Sequence, residues 1–287
     1  MYRRMERHVS MAQGRYDAAS LPLMSGQKHT RPSEDTAWTL EVRGIEREKA
    51  RIDQHRGAIE RVDTFLGSAE TNIQNAVSLL QEMSARAVQM RNDSYSATDR
   101  ANAAKEVASA LSELKALANG KVGDRFLFAG RREDQPPFDD LGNYVGDPAG
   151  RTVDVADGVT IEADIPGEQV FGTAGAANSA FDALAKLQMA LEANDEASLD
   201  DAITALNAST KHATGAWSRL GGVRHTLANL ASLHADAAIA AESRLAKVGH
   251  SDLAEAATRL KAAEDAFSAS LATAQRISDL LSKQLQF

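Results

Sequence analysis

The sequence predicts a mainly α protein: an elongated antiparallel helical bundle or coiled-coil rod formed by the N- and C-terminal segments, with a small β-rich insert in the middle. Three observations predict it. Ile45, Ile52, Ile59, Leu66, Ile73, Leu80 and Ala87 recur every seven residues, and Val62, Ala69, Ala76, Met83 and Met90 form a second row three residues on. A stripe of this length needs a partner helix to cover its narrow apolar seam. The far end of the chain carries a matching seam: Leu253, Ala256, Leu260, Ala263, Phe267, Ala274, Ile277 and Leu281, with only Ser270 breaking the row. Between them, residues 131–172 hold ten acids, three bases and four of the six prolines.

Each element has its own signal. Residues 1–30 carry five bases against two acids, with weak helical spacing broken at Leu21-Pro22 and Ser25-Gly26. They read as a disordered arm that orders on assembly. Ser33 reads as the N-cap of the long helix, followed by acids in its first turn. That helix runs to about Asn92, and Gly57 and Gly67 inside it mark close approach of another helix. Thr98 or Asp99 caps the next helix, which Asn119-Gly120 stops.

Strand signals follow at Arg125–Ala129, Val153/Val155 and Val159/Ile161/Ala163/Ile165. A three-residue loop, Ala156-Asp157-Gly158, would place Val155 opposite Val159 and Val153 opposite Ile161, with Gly158 in the left-handed position. Helices resume near Ser179 through Phe181, Leu184, Leu187 and Leu191, and break at Asn194-Asp195. They continue through Leu199, Ile203, Leu206, Leu220, Val223, Leu227, Leu230, Ala237 and Ala241 to about Ala246, with Gly221-Gly222 as a potential kink. Ser251 or Asp252 caps the last helix. The seams and compositions together divide the chain into a terminal helical pair (1–40 and 250–287), a helical rod (41–127 and 173–249) and an acidic insert (128–172) peripheral to the rod.

Composition narrows the function. Aromatic residues are only 5%, low for a compact enzyme core and ordinary for Ala/Leu seams. The net charge of −8 disfavours bulk binding to nucleic acid or an anionic membrane. With no cysteine there is no disulfide, thiol chemistry or zinc-thiolate site. Residues 1–20 lack the apolar stretch of a secretory signal peptide, so export would use another route. Phosphate-loop, dinucleotide and His-Glu-x-x-His motifs are absent. The seven histidines are scattered, His225 and His234 lying nine apart; His55 falls on the second row and reads as a partly buried polar seam residue. Glu133, Asp134, Asp139 and Asp140 lack the EF-hand spacing and read as a solvated surface. No catalytic, cofactor-binding or metal residue is expected.

Three segments resemble the flagellin family, on the side of its hook-associated members. Met24-Ser25-Gly26-Gln27-Lys28 with Pro32-Ser33-Glu34-Asp35 is similar to the family segment before the long helix. Leu117-Ala118-Asn119-Gly120, Asp124-Arg125-Phe126-Leu127-Phe128-Ala129-Gly130 and Pro136-Pro137-Phe138 resemble its middle element, and Tyr144–Asp147 and Gly167–Phe171 fit the same insert. Gly249–Ala256 and the helix after it resemble its C-terminal segment. The resemblance implies a non-enzymatic structural adaptor at the hook–filament junction of the bacterial flagellum, exported unfolded through the flagellar type III apparatus. Its terminal helices would be poorly ordered in the monomer and pair in the assembled core. It implies as partners further copies of the chain, an adjacent hook-associated protein, flagellin and an export chaperone, with no nucleic acid and no membrane. The expected assembly residues are Ile45, Ile52, Ile59, Leu66, Ile73 and Leu80 on the rod, and Leu253, Leu260, Phe267, Ala274, Ile277 and Leu281 at the C-terminus. A short filament flagellin is the alternative within the family. From other classes, the seams alone would also fit a coiled-coil signalling or adhesive rod, and the acidic insert a metal-dependent hydrolase.

Overall fold

The computed structural model describes residues 2–29, 33 and 35–284, with the side chains of residues 2, 5 and 279–284 left outside that description. In chain order the elements are α1 (Tyr2–Ser25), α2 (Thr36–Met90), α3 (Ala97–Ala118), β1 (Lys121–Val122), β2 (Arg125–Phe126), β3 (Thr152–Ala156), β4 (Val159–Glu162), α4 (Glu168–Phe171), α5 (Ala180–Ala193), α6 (Glu196–Gly249) and α7 (Leu253–Gln284). Helix accounts for 73% of the chain, as the two seams predict. Among the described residues, no helix is long and apolar enough to cross a membrane. The chain forms two compact units, residues 1–52 with 236–287, and residues 53–235.

In the first unit α1 packs against α7. Residues 2–25 are therefore helical, not a disordered arm: Val9, Ala12, Tyr16, Ala19 and Leu23 form a 3,4-spaced stripe whose partner lies some 250 positions away in sequence, where a local reading gives it no credit. The helix runs through Pro22 and ends at Ser25. Asp35, not Ser33, caps α2, its Oδ1 accepting from the Trp38 amide at 3.0 Å; that bond holds the Asp35 carboxyl below its ordinary range. Thr30, Arg31, Pro32 and Glu34 lie outside the described residues. The connectors after α1 and before α7 pair through a Gln27–His250 bridge, with Lys28 N donating to Gly249 O (2.8 Å) and Ser251 N to Gly26 O (3.0 Å). Trp38 Nε1 donates to Val248 O at 2.9 Å beside this joint. Asp252 caps α7, accepting from Ala254 N at 2.9 Å.

The second unit holds the main core. Ile59, Leu66, Ile73 and Leu80 of α2 meet a heptad row on α6, Leu199, Leu206, Ala213, Leu220 and Leu227, in one buried cluster with α3 and α5. Ser96, two residues before Thr98, caps α3 in a reciprocal capping box with Asp99. Ser179 caps α5, and Asn194 ends it in the left-handed conformation, φ 52°. α6 then continues as one helix through Gly221-Gly222. Gly67 does mark a close approach: a Cβ there would stand 3.4 Å from the Arg224 guanidinium. At Gly57 the nearest group is Arg61 of its own helix.

Three expectations for the insert fail. Only Arg125 and Phe126 of the 125–129 segment form a strand, paired with β1. In the β3–β4 hairpin Val153 does face Ile161, but Ala156 pairs with Val159 across a two-residue turn, and a bulge removes Val155 from the ladder. Gly158 supplies the positive φ (74°) that the turn needs. The bulge turns Val155 into the core, where it is fully buried. Nor is the insert peripheral: Phe138, Val155, Ala163, Ile165, Val170 and Phe171 all join the core cluster. Phe171 meets Phe128 and Phe138 edge-to-face, with ring centroids 5.2 and 5.6 Å apart. Acidic composition concealed this aromatic core because the acids occupy the turns between its buried residues.

Candidate assembly surface

The twelve expected seam residues fall into two groups. Ile45, Ile52, Ile59, Leu66, Ile73 and Leu80 are all buried within the chain, from fully enclosed to 7% exposed. Their seam is already covered by intrachain helices. The C-terminal row differs. Leu260, Phe267, Ala274 and Ile277 are half-buried, and Leu253, the first residue of α7, is 59% exposed. The side chain of Leu281 lies outside the described residues. Ala256, Ala263 and Ser270 complete a stripe on the same 3,4 spacing, so the serine sits in the row without breaking its geometry. Tyr16 of α1 stacks on Phe267, with centroids 6.0 Å apart and planes 23° from parallel.

Burial in this unit is incomplete. Among the described residues, its buried apolar side chains are Ile45, Ile52, Ala241 and Ala256. Meanwhile Met11, Met24, Leu40, Ile239, Leu253 and Leu271 are exposed. A helix running from Leu253 to Gln284 that encloses so little gains little from burial, at about 25 cal/mol per Å² of apolar surface. Its apolar stripe is left partly open to solvent.

In the second unit, polar contacts that periodicity cannot reveal fix the helices on one another. Arg224 of α6 grips Asp63 of α2 with two bonds, Nε–Oδ1 at 2.8 Å and Nη2–Oδ2 at 3.2 Å, and also reaches Glu70. Trp217 Nε1 donates to the same Glu70 at 3.0 Å. The Arg224 bond is the main cause holding the Glu70 carboxyl below its ordinary range. Arg100 is 4% exposed; its Nε donates to the Met90 carbonyl at 2.9 Å and its Nη1 to Asn194 Oδ1 at 2.7 Å. One guanidinium thus serves the C-termini of α2 and α5. An arginine following a capping box was the only sequence signal for it, and that signal is not specific.

The acids of the insert are engaged by the chain itself. Glu133 pairs with Arg125 and with Arg151 (2.8 Å). Asp140 pairs with Lys115. Asp139 fastens its own turn by accepting from Asn143 Nδ2 and from the amides of Leu141 and Asn143, which lowers its pKa. Asp164 is 4% exposed; burial pushes its pKa up, opposed by its bonds to Arg151. No cluster of three or more potential metal ligands occurs among the described residues.

Residues 1–133 match the bacterial flagellin N-terminal helical region. Three solved structures share the chain's fold. A flagellar hook-associated protein from Vibrio parahaemolyticus aligns with TM-score 0.70 and 21% identity, over 76% of this chain and 100% of its own. Hook-associated protein 3 from Legionella pneumophila gives TM-score 0.64 and 15% identity, over 72% and 98%. Bacillus cereus FlgL gives 0.61 and 19%, over 69% and 96%. Identities this low establish the fold. No curated protein sequence matches the chain.

Proposed function

We propose that this protein is a non-enzymatic structural adaptor of the bacterial flagellum, joining hook to filament after export through the flagellar type III apparatus. The incomplete burial of the α1–α7 pair carries this reading, and the fold shared with hook-associated proteins supports it. The terminal segments, 1–40 and 250–287, are the assembly core. The rod, 41–127 with 173–249, and the insert at 128–172 are the body. Neighbouring copies, an adjacent hook-associated protein and flagellin complete the burial that the chain alone leaves unfinished, each Leu or Phe enclosed adding about 1.5–3 kcal/mol. A dedicated chaperone would shield the same stripe before export. The flagellin character of residues 1–133 supports a second reading, a short filament flagellin.

Location separates the two. Labelled protein confined to the distal end of the hook supports the adaptor; label along the whole filament supports the flagellin. A carboxylate on the half-buried stripe tests the assembly mechanism. Phe267→Asp is expected to leave the chain soluble and its second unit folded while incorporation fails. Normal filaments in cells carrying that variant would refute it.

A further inference from the structure

The turn between α3 and β1 carries the chain's one Asn-Gly pair, Asn119-Gly120. The fold needs both residues. Asn119 caps the C-terminus of α3, and its side-chain amide bonds the backbone of Phe138 in both directions. Oδ1 accepts from Phe138 N at 3.0 Å, and Nδ2 donates to Phe138 O at 3.1 Å. Phe138 is buried among Phe171, Phe181 and Tyr144, so one amide fastens this aromatic cluster to the end of α3. At Gly120 there is no room for a side chain. A Cβ there would collide with Asn72 Nδ2, which donates to Leu117 O at 3.0 Å. The Gly120 amide is itself bonded to the same Leu117 O, at 3.2 Å.

Asparagine before glycine is chemically labile, because no Cβ hinders the glycine nitrogen. That nitrogen, losing its proton, attacks Cγ of the asparagine and expels Nδ2 as ammonia, closing a five-membered succinimide. Water then opens the ring at either carbonyl, leaving aspartate or isoaspartate; nothing is oxidised or reduced. In the folded chain both reacting groups are held, the leaving amide by the Phe138 backbone and the attacking nitrogen by Leu117 O. We propose that Asn119 is a deamidation site that the fold keeps shut and that opens whenever the chain is unfolded. The modification is one-way and falls on the fastening itself. Aspartate at this position has no N–H to offer the Phe138 carbonyl and sets a carboxylate against it. Isoaspartate adds a methylene to the main chain and shifts the side chain out of register. Either product orphans the carbonyl of a buried residue. A chain that lingers unfolded thus loses the contact that seats its insert.

To test this, the full chain is held at neutral pH, either native or in concentrated urea. The peptide spanning Asn119 is followed by mass spectrometry, with isoaspartate read by methyltransferase labelling. In urea Asn119 is expected to convert ahead of every other asparagine. In the native chain its conversion should run about a hundredfold slower, the scale of three hydrogen bonds that must open together. Equal rates in the two conditions, or another asparagine leading in urea, overturn the proposal. Asn119→Asp should keep its helices but exchange the amides of Asp139 and Val145, bonded to Asn143 O and Pro137 O, about tenfold faster than wild type, the scale of one orphaned acceptor. Unchanged exchange there refutes the fastening role. The wild-type comparison needs no variant, so it decides the site even where Asn119→Asp does not fold. None of these outcomes bears on the flagellar reading, which rests on the terminal helices.

Discussion

At the scale of single residues, Arg100 is a charged side chain held almost wholly out of water. Its charge is compensated by a helix C-terminal carbonyl, an amide oxygen and Glu196 at 3.7 Å, in a site that admits almost no water. Arg100→Met keeps the apolar stem but orphans the Met90 carbonyl. It should lower unfolding free energy by about 2–4 kcal/mol, measured by urea denaturation. Phe138 makes the apolar counterpart. It is 1% exposed and packs on Phe171, Phe181 and Tyr144. Phe138→Ala should lose about 3–5 kcal/mol, because a cavity enclosed by rigid rings cannot collapse.

At the scale of elements, α2 and α6 are joined by an apolar seam that is insensitive to pH and a polar clip that is not. Glu70 has an ordinary pKa of 4.5 and a lower one in the fold, chiefly through Arg224. Its stabilisation is therefore present above about pH 4.5 and disappears as pH falls through the depressed folded value. Replacing Glu70 with Gln should cost stability at pH 7, and the gap between wild type and variant should close in acid. Parallel pH profiles of the two proteins would rule out the clip as the source. The β3–β4 hairpin shows a different coupling between elements. Its bulge sacrifices one ladder position so that Val155 can fill the core and its carbonyl can meet His234. Alternation along the strand foretold the Val153–Ile161 pair. It could not foretell a register change imposed from outside the sheet.

For the whole molecule, the terminal helices decide the most. α1 has 24 residues and α7 has 32. The isolated chain should show far-UV helicity near 73%, with both helices contributing. Pairing only on assembly would remove those helices from the monomer signal, and circular dichroism on a dilute, monomeric sample separates the cases. Exchange in the first unit should nevertheless be faster than in the second, since local stability follows enclosed apolar contacts.

The heptad rows, the 3,4 spacing near the C-terminus and the punctuation at Asn119-Gly120 and Asn194-Asp195 were enough to define the long helices after α1, because helical periodicity is a property of the local chain. The same rows made Ile59, Leu66, Ile73 and Leu80 legible as core. Tertiary structure alone decided which seams are satisfied within the chain and which are left half-open. It alone folded residues 2–25 against α7, drew the phenylalanines of an acidic insert into the core, and placed Arg100, Arg224 and His234. Those outcomes depend on which surfaces meet across hundreds of positions, and burial, unlike periodicity, is set by the partner as much as by the residue itself.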